Sequence, residues 1–238
     1  METFPSDRCD LTLSLGRGAP ATLLPARGVT LLQVIQEGVL MPSDDTSDLI
    51  FQAAFAEVMD HEGLGQHTFN PYDRGGETYS GISRLWWPDW FGWKLLDDQV
   101  PTDDSRLIGA TTEFYAQTFW RPLRCDDMSY KIACEVFDSA VHMGKREAAE
   151  IFQLALNILN RQQSTYDDVE VDGKIGNQTM IAYRLLLREE PDEVNLFKTL
   201  NVMQGAHYVA TVRRLPSQEM NFRGWLTRVV FTHGGRRS

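Results

Sequence analysis

From Ser47 onward the chain is dominated by helical periodicity, and a single carboxylate sits where that periodicity first breaks. The segment SDLIFQAAFAEVMDHEG carries Phe51, Phe55, Val58 and Glu62 at spacings of four, three and four, the repeat of one helix face. Ser47 or Asp48 is suited to cap its start. At about 100° per residue, Glu62 lies within ~20° of Phe51 around the axis, at the C-terminal end of an apolar stripe. Gly63 and Gly65 then stop the helix.

The same period returns later in the chain. PTDDSRLIGATTEFYAQTFW opens with proline and acidic first-turn residues. YKIACEVFDSAVHMG puts Ile132, Val136, Phe137, Ala140 and Val141 on one face and stops at Gly144. REAAEIFQLALNIL, NQTMIAYRLLL, NLFKTLNVMQGAHYVATV and FRGWLTRVVF read as four more helices. Between Gln66 and Asp97 the chain is polar, glycine-containing and rich in tryptophan, suited to loops and a short hairpin. The expected fold class is α+β, mainly α: a large helical lobe beside a small loop or β lobe. Residues 1–46 differ in texture, with four prolines and only Val29 to Leu40 amphipathic. They are expected to form an extension, either a linker or a docking arm. The basic residues at 233–238 form a tail.

Bulk properties exclude several functions. A net charge of −10 argues against nucleic acid, whose phosphates demand clustered Lys and Arg. No apolar run reaches the ~18 residues of a membrane span, and the N-terminus lacks the pattern of a secretory signal. The five histidines show no ligand spacing such as HExxH, so no metal and no cofactor are expected. Cys9, Cys125 and Cys134 form no CxxC and are expected as free or buried thiols.

The chemistry suggested by the first break comes from the stretch HEGLGQHTFNPYDRGGETYSGISR. A carboxyl group on an apolar helix face is disfavoured in its charged form, whereas a second one in a wetter loop stays ionised. Glycoside hydrolysis uses that split, one acid protonating the leaving oxygen and one base serving the opposite face. Glu62 supplies the first group and Asp73, before Gly75 and Gly76, the second. Thr78 offers a hydroxyl to hold water. The competing reading is ordinary: a solvated Glu at a helix end and an Asp that shapes a turn.

The ordered series of motifs resembles glycoside hydrolase family 108, the N-acetylmuramidases of phages and bacteria. HEG at 61–63, NPYDRGGET at 70–78 and GI at 81–82 follow that family's glycine-rich pattern. FWRPLRCDDM (119–128), FDSAVHMG (137–144), VDGKIGNQT (171–179) and FRGWLTRV (222–229) resemble its later segments in order. The resemblance implies a lysozyme-like fold that cleaves the β-1,4 bond between N-acetylmuramic acid and N-acetylglucosamine. It makes Glu62 the general acid, with Asp73 and Thr78 holding the attacking water in an inverting reaction. It implies a catalytic region at 47–125, a helical region resembling a peptidoglycan-binding domain at 126–232, and glycan strands of peptidoglycan as the partner. A phage setting follows, either an endolysin in the host cytoplasm or a virion lysozyme attached through residues 1–46, acting at the cell wall. The alternative is a wall-binding protein that keeps the fold without the activity. Three departures stand out: GLG follows Glu62 where the family has GGY, the loop to Asp73 is longer, and His142 stands in place of Asn.

Four of the six tryptophans, Trp86, Trp87, Trp90 and Trp93, fall within RLWWPDWFGWKLL. Two uses are open to them. They can pack the small lobe on the helices, or Trp86, Trp87 and Trp90, with Tyr79 nearby, can stack on sugar rings. His142 and His207 are expected in the core or behind the site, Asp138 as a buried hydrogen-bonding residue, and Asp172 and Thr179 as loop-shaping groups before a helix.

Overall fold

Helix α1 spans Asp44–Glu62 in the computed structural model, which describes residues 44–69 and 76–231. The expected arm before residue 44, Asp73 and the tail at 233–238 lie outside the described residues. Ile50, Phe51, Ala54, Phe55, Val58 and Met59 form the buried face of α1, which is the stripe predicted from spacing. The helix begins upstream of the two expected caps. Ser47 is free of a capping role because its hydroxyl donates to Asp126 Oδ1 at 2.6 Å, a tertiary contact that no local pattern announces.

Three short antiparallel strands follow: β1 (His67–Phe69), β2 (Glu77–Tyr79) and β3 (Ile82–Ser83), in that spatial order. Thr68 pairs with Thr78, and Tyr79 with Ile82. Ser80 and Gly81 join β2 to β3 with φ of 47° and 77°, the two positive values of a tight type I′ hairpin turn. Helix α2 (Phe91–Asp97) then forms inside the stretch expected to be loop. Its glycine explains the difference: a Cβ on Gly92 would fall 2.1 Å from the Trp90 ring. The residue that reads as a breaker is there so that the indole can lie against the helix.

Helix α3 (Ser105–Tyr115) is capped by Asp104, whose side chain accepts from the Arg106 amide, and runs on through a π-helical turn at Ala116–Trp120. Two 3-10 turns lead to α4 (Tyr130–Met143), capped by Ser129 and ended at Gly144. Helices α5 (Lys145–Leu159), α6 (Asn177–Glu189), α7 (Val194–Arg214) and α8 (Glu219–Leu226) complete the described chain. Helix α4 is the centre, packing on α1, α5 and α7. Its Ile132, Ala133, Phe137 and Ala140 have no exposed surface. The Phe137 ring meets Phe51 at 6.0 Å and Trp120 at 5.4 Å. One hydrophobic cluster runs from Ile50 to Leu200, so the core is continuous through the boundary expected near residue 125. The architecture is α+β and mainly α, as the periodicity predicts.

Burial also raises the pKa of several tyrosines above the ordinary value of 10.0: Tyr115, Tyr183 and Tyr208 through loss of hydration, reinforced by nearby carboxylates. Folding therefore favours the protonated phenols. Their stabilisation is complete below pH ~10 and is lost progressively as pH rises above that value, where only the unfolded chain ionises. We expect a cooperative loss of helical circular dichroism on alkaline titration, with phenolate absorbance appearing together with unfolding and not before it.

Candidate active site

Glu62 is the last residue of α1, and its carboxyl group is anchored at one oxygen and lies beside the hairpin turn at the other. Oε1 accepts from Nη2 of Arg228 at 2.7 Å. Nη1 of the same guanidinium donates to Asp138 Oδ1 at 2.6 Å. Oε2 lies by the hairpin turn, where a Cβ on Gly81 would come within 2.8 Å of it and equally close to the Tyr115 hydroxyl. Tyr115 donates to the carbonyl of Ser80 at 2.8 Å, which ties the turn down over α3. Glu62 thus sits between a helix end and a hairpin turn with one oxygen committed and the other facing the turn.

The setting of Glu62 is not the apolar one that its stripe predicts. The stripe positions the backbone, but the side chain meets a charged guanidinium. Arg228 is 7% exposed at its side chain, against 22% for Glu62 and 15% for Asp138. Burial works against the charge on Arg228, yet Asp138 and Glu62 outweigh it and hold its pKa above the usual arginine value. Around this pair, Gln204 donates to Ser139 at 3.1 Å and approaches Asp138 at 3.4 Å. The Tyr208 ring packs edge-on against His142 at 5.1 Å, and His142 also meets Trp225 at 5.6 Å.

Arg228 is delivered by the turn after α8, where its amide bonds the carbonyl of Trp225. Two residues on, the Val230 amide bonds the Asn201 side chain of α7, and Asn201 in turn donates to Glu135 of α4 at 2.8 Å. The C-terminal turn is therefore laced to the central helix through α7. Sequence reasoning missed Arg228. Its only signal was the segment FRGWLTRV, because its partners lie 166 and 90 positions away.

Thr78 sits in the middle of β2, its hydroxyl 3.1 Å from that of Thr68, a neighbour created by strand register alone. Asp73 falls outside the described residues. The aromatic candidates divide. Tyr79 has no exposed surface; it donates to the Thr102 carbonyl at 2.6 Å and stacks on Trp90 at 5.8 Å and 25°. The sugar contact expected of Tyr79 has no surface to act through. Trp90 and Trp93 pack edge to face at 5.0 Å, and Arg84 lies 4.6 Å over Trp93. Trp86 is 70% exposed, and Trp87 keeps an open face beside its contact with Phe114. His207 pairs with Glu147 at 2.9 Å. Asp172 accepts from Gln153 and from the Lys174 amide, which shapes the loop before α6 as expected. Among the described residues no group of three metal-binding side chains gathers, and no helix is long and apolar enough to cross a membrane.

Comparison with known proteins places this geometry. The glycosyl hydrolase 108 family model matches residues 55–144, which include Glu62, Gly81, Tyr115 and Asp138. A predicted peptidoglycan domain matches residues 147–230, which include Arg228. Among solved structures, that of Brucella abortus SagA is similar at a TM-score of 0.52 and 23% identity, over 75% of this chain and 88% of that one; this likeness shows the fold. No curated protein matches. The class that emerges is a glycoside hydrolase directed at peptidoglycan. More narrowly, residues 55–144 match the glycosyl hydrolase 108 model, and the predicted peptidoglycan domain follows at residues 147–230.

The turn offers a test of this arrangement. Gly81→Ala would force a side chain onto a φ of 77°, which costs about 1–2 kcal/mol, and would push on the Glu62 carboxyl group. We expect a lower melting temperature by thermal denaturation. Hydrolysis of purified peptidoglycan should also fall about tenfold or more if the position of the Glu62 carboxyl group matters to the reaction.

Proposed function

We propose that the protein is an N-acetylmuramidase in which Glu62 protonates the leaving oxygen of the β-1,4 bond between N-acetylmuramic acid and N-acetylglucosamine. The observation that carries this reading is the division of labour within one carboxyl group. Oε1 is fixed by Arg228, which sets the rotamer, while Oε2 faces the hairpin turn and can carry the proton to be given. General acid catalysis needs a positioned donor within hydrogen-bond reach of the leaving oxygen. A carboxyl group anchored at one oxygen meets that need better than one free to rotate.

In the same proposal, Asp73 and Thr78 hold the attacking water on the opposite face of the sugar, and inversion at the anomeric carbon follows. The hydroxyl pair of Thr68 and Thr78 supports a polar, water-binding strand face at that point. Trp86 and Trp87, with their exposed indole faces, are the aromatic platform for the glycan; stacking of a sugar on an open indole face needs no reorganisation of the packed pair Trp90 and Trp93. We place the enzyme's work at the bacterial cell wall and assign it to a phage, with residues 1–46 as the element that attaches it to other virion proteins.

Digestion of purified peptidoglycan followed by mass spectrometry tests the chemistry. Wild type should release fragments with reducing muramic acid ends, and Glu62→Gln should lose at least about a hundredfold in rate. Reducing glucosamine ends, or full activity in Glu62→Gln, would refute the assignment. Proton NMR of the first-formed anomer should show the α product; a retained β product would remove Asp73 from its role. Deletion of residues 1–46 should leave hydrolysis intact and abolish incorporation into phage particles, and unchanged incorporation would end the attachment proposal.

A further inference from the structure

Residues 165–176, between α5 and α6, form neither helix nor strand, yet three amide side chains pin them to α5. Gln153, Asn157 and Asn160 recur at spacings of four and three, which puts them on one helix face. Asn157 exchanges a pair of bonds with the Val169 backbone, at 2.8 Å and 2.9 Å. Asn160 accepts from the Thr165 and Tyr166 amides and donates to the Tyr166 carbonyl. Gln153 donates to Asp172 and to the Lys174 carbonyl, and accepts from the Gly173 amide. Gln153 and Asn160 are each 1% exposed. The chain enters this loop through Arg161, Gln162 and Gln163, three successive residues at positive φ, a conformation that side chains disfavour. Buried amides and a strained entry fix the loop in one shape, which is more than a connection between two helices requires.

Between this loop and α6 lies a groove of about 760 Å³, within the range of about 300–1,000 Å³ typical of ligand sites. Its walls differ in charge. The loop side carries Asp167, Asp168, Glu170 and Asp172, with Lys174 as the one cation of the lining among the described residues. Asp168 and Asp172 accept from Asn160 and Gln153, which leaves the exposed Asp167 and Glu170 as the carboxylates open to a ligand. On the other side, no side chain caps the first turn of α6, and Asn177 and Gln178 of that turn border the groove. Ile181, one turn further on, adds exposed aliphatic surface.

A ligand that fits these walls brings an ammonium group to the carboxylates, a carboxylate to Lys174 and the uncapped helix end, and aliphatic carbon to Ile181. Amino acids linked as a short peptide carry all three. A glycan strand does not, because its amines are acetylated and uncharged. Sugars also favour open aromatic faces, and Tyr166, the aromatic residue of the lining, packs on the core with its hydroxyl donating to the Leu156 carbonyl.

We propose that this groove binds the peptide stem of peptidoglycan, through the ammonium and carboxylate groups of its amino acids, apart from the glycan site at Glu62. The groove lies within the residues matched by the predicted peptidoglycan domain, 147–230. The inference rests on peptidoglycan as the substrate and names the part of it that this domain holds. Helices α5 and α6 share one hydrophobic cluster with α1, so the stem and the glycan are held by elements packed on each other. Strands that keep their peptides are thereby the preferred substrate.

The test is an NMR titration of the isotope-labelled full chain with two peptides, L-alanyl-γ-D-glutamyl-L-lysine and its meso-diaminopimelate counterpart. At least one should move the amide signals of the loop and of the first turn of α6 in a saturable way. Acetylation of the side-chain amine should weaken that peptide by about fivefold or more, and the peptide-free glycan tetra-N-acetylchitotetraose should leave those signals unmoved. The double variant Asp167→Asn, Glu170→Gln removes the two open carboxylates and should weaken the peptide by about five- to tenfold. It should also raise KM on peptide-bearing strands with kcat unchanged, and hydrolyse strands stripped of peptide as wild type does. Saturation by neither peptide, equal movement with the glycan, or undiminished affinity in the double variant would overturn the proposal. If the double variant fails to fold, the acetylated peptide on wild type decides the role of the carboxylates. Binding of the peptides involves no hydrolysis, so the two levels separate. Binding with full activity in Glu62→Gln sinks the general-acid reading alone; digestion of peptidoglycan by a wild type that binds neither peptide sinks the present inference alone.

Discussion

A helix buried on every side cannot carry polar residues unless other elements bring partners to them, and α4 imposes that condition on the whole fold. Its apolar residues are enclosed by α1, α5 and α7, yet the same fourteen residues include Glu135, Asp138 and Ser139. An unpaired buried carboxylate is costly enough to be avoided, and each of these groups is met from the far end of the chain. Asn201 reaches Glu135, Gln204 reaches Ser139, and Arg228 reaches Asp138. The last of these partners has a second hand free, and it grips Glu62.

The residues matched by the hydrolase model and by the peptidoglycan domain are consequently joined through one continuous packing. They share a hydrophobic cluster, and α4 belongs to both sides of it. Other long-range bonds reinforce the join. Glu193, before α7, accepts from Ser129 and Tyr183 at 2.6 Å each, and Arg124 reaches Asn177 at the start of α6 at 2.8 Å. A buried ion pair adds little stability on its own, because desolvation offsets attraction, but losing one partner is expensive. The Glu62, Arg228 and Asp138 cluster is held in place by the apolar packing around it.

The small lobe shows where sequence patterning stops being informative. Its tryptophans lie in one short run, and both roles considered for them occur. Trp93 is buried with its Nε1 donating to the Trp87 carbonyl at 2.8 Å, and Trp90 stacks on Tyr79, while Trp86 stands in solvent. Residue type could not sort them, because an indole is equally suited to a core and to a sugar face. Glycine misled in the same stretch, since Gly92 serves close packing within a helix and not a turn. By contrast the helices from Ser105 onward were legible, as their 3.6-residue period reports one buried face directly.

By itself the sequence determined the helical frame, the class of the protein through its ordered motifs, and the place of Glu62 at the end of a buried stripe. Each of these is a local property, written in periodicity, capping residues and glycine positions within one segment. Only the tertiary structure decided what surrounds that carboxyl group. Arg228 lies 166 positions from Glu62 and 90 from Asp138, and nothing in the spacing of so distant residues encodes their meeting. That contact arises because α7 and α8 fold back over α4 and so carry Arg228 to Asp138 and Glu62.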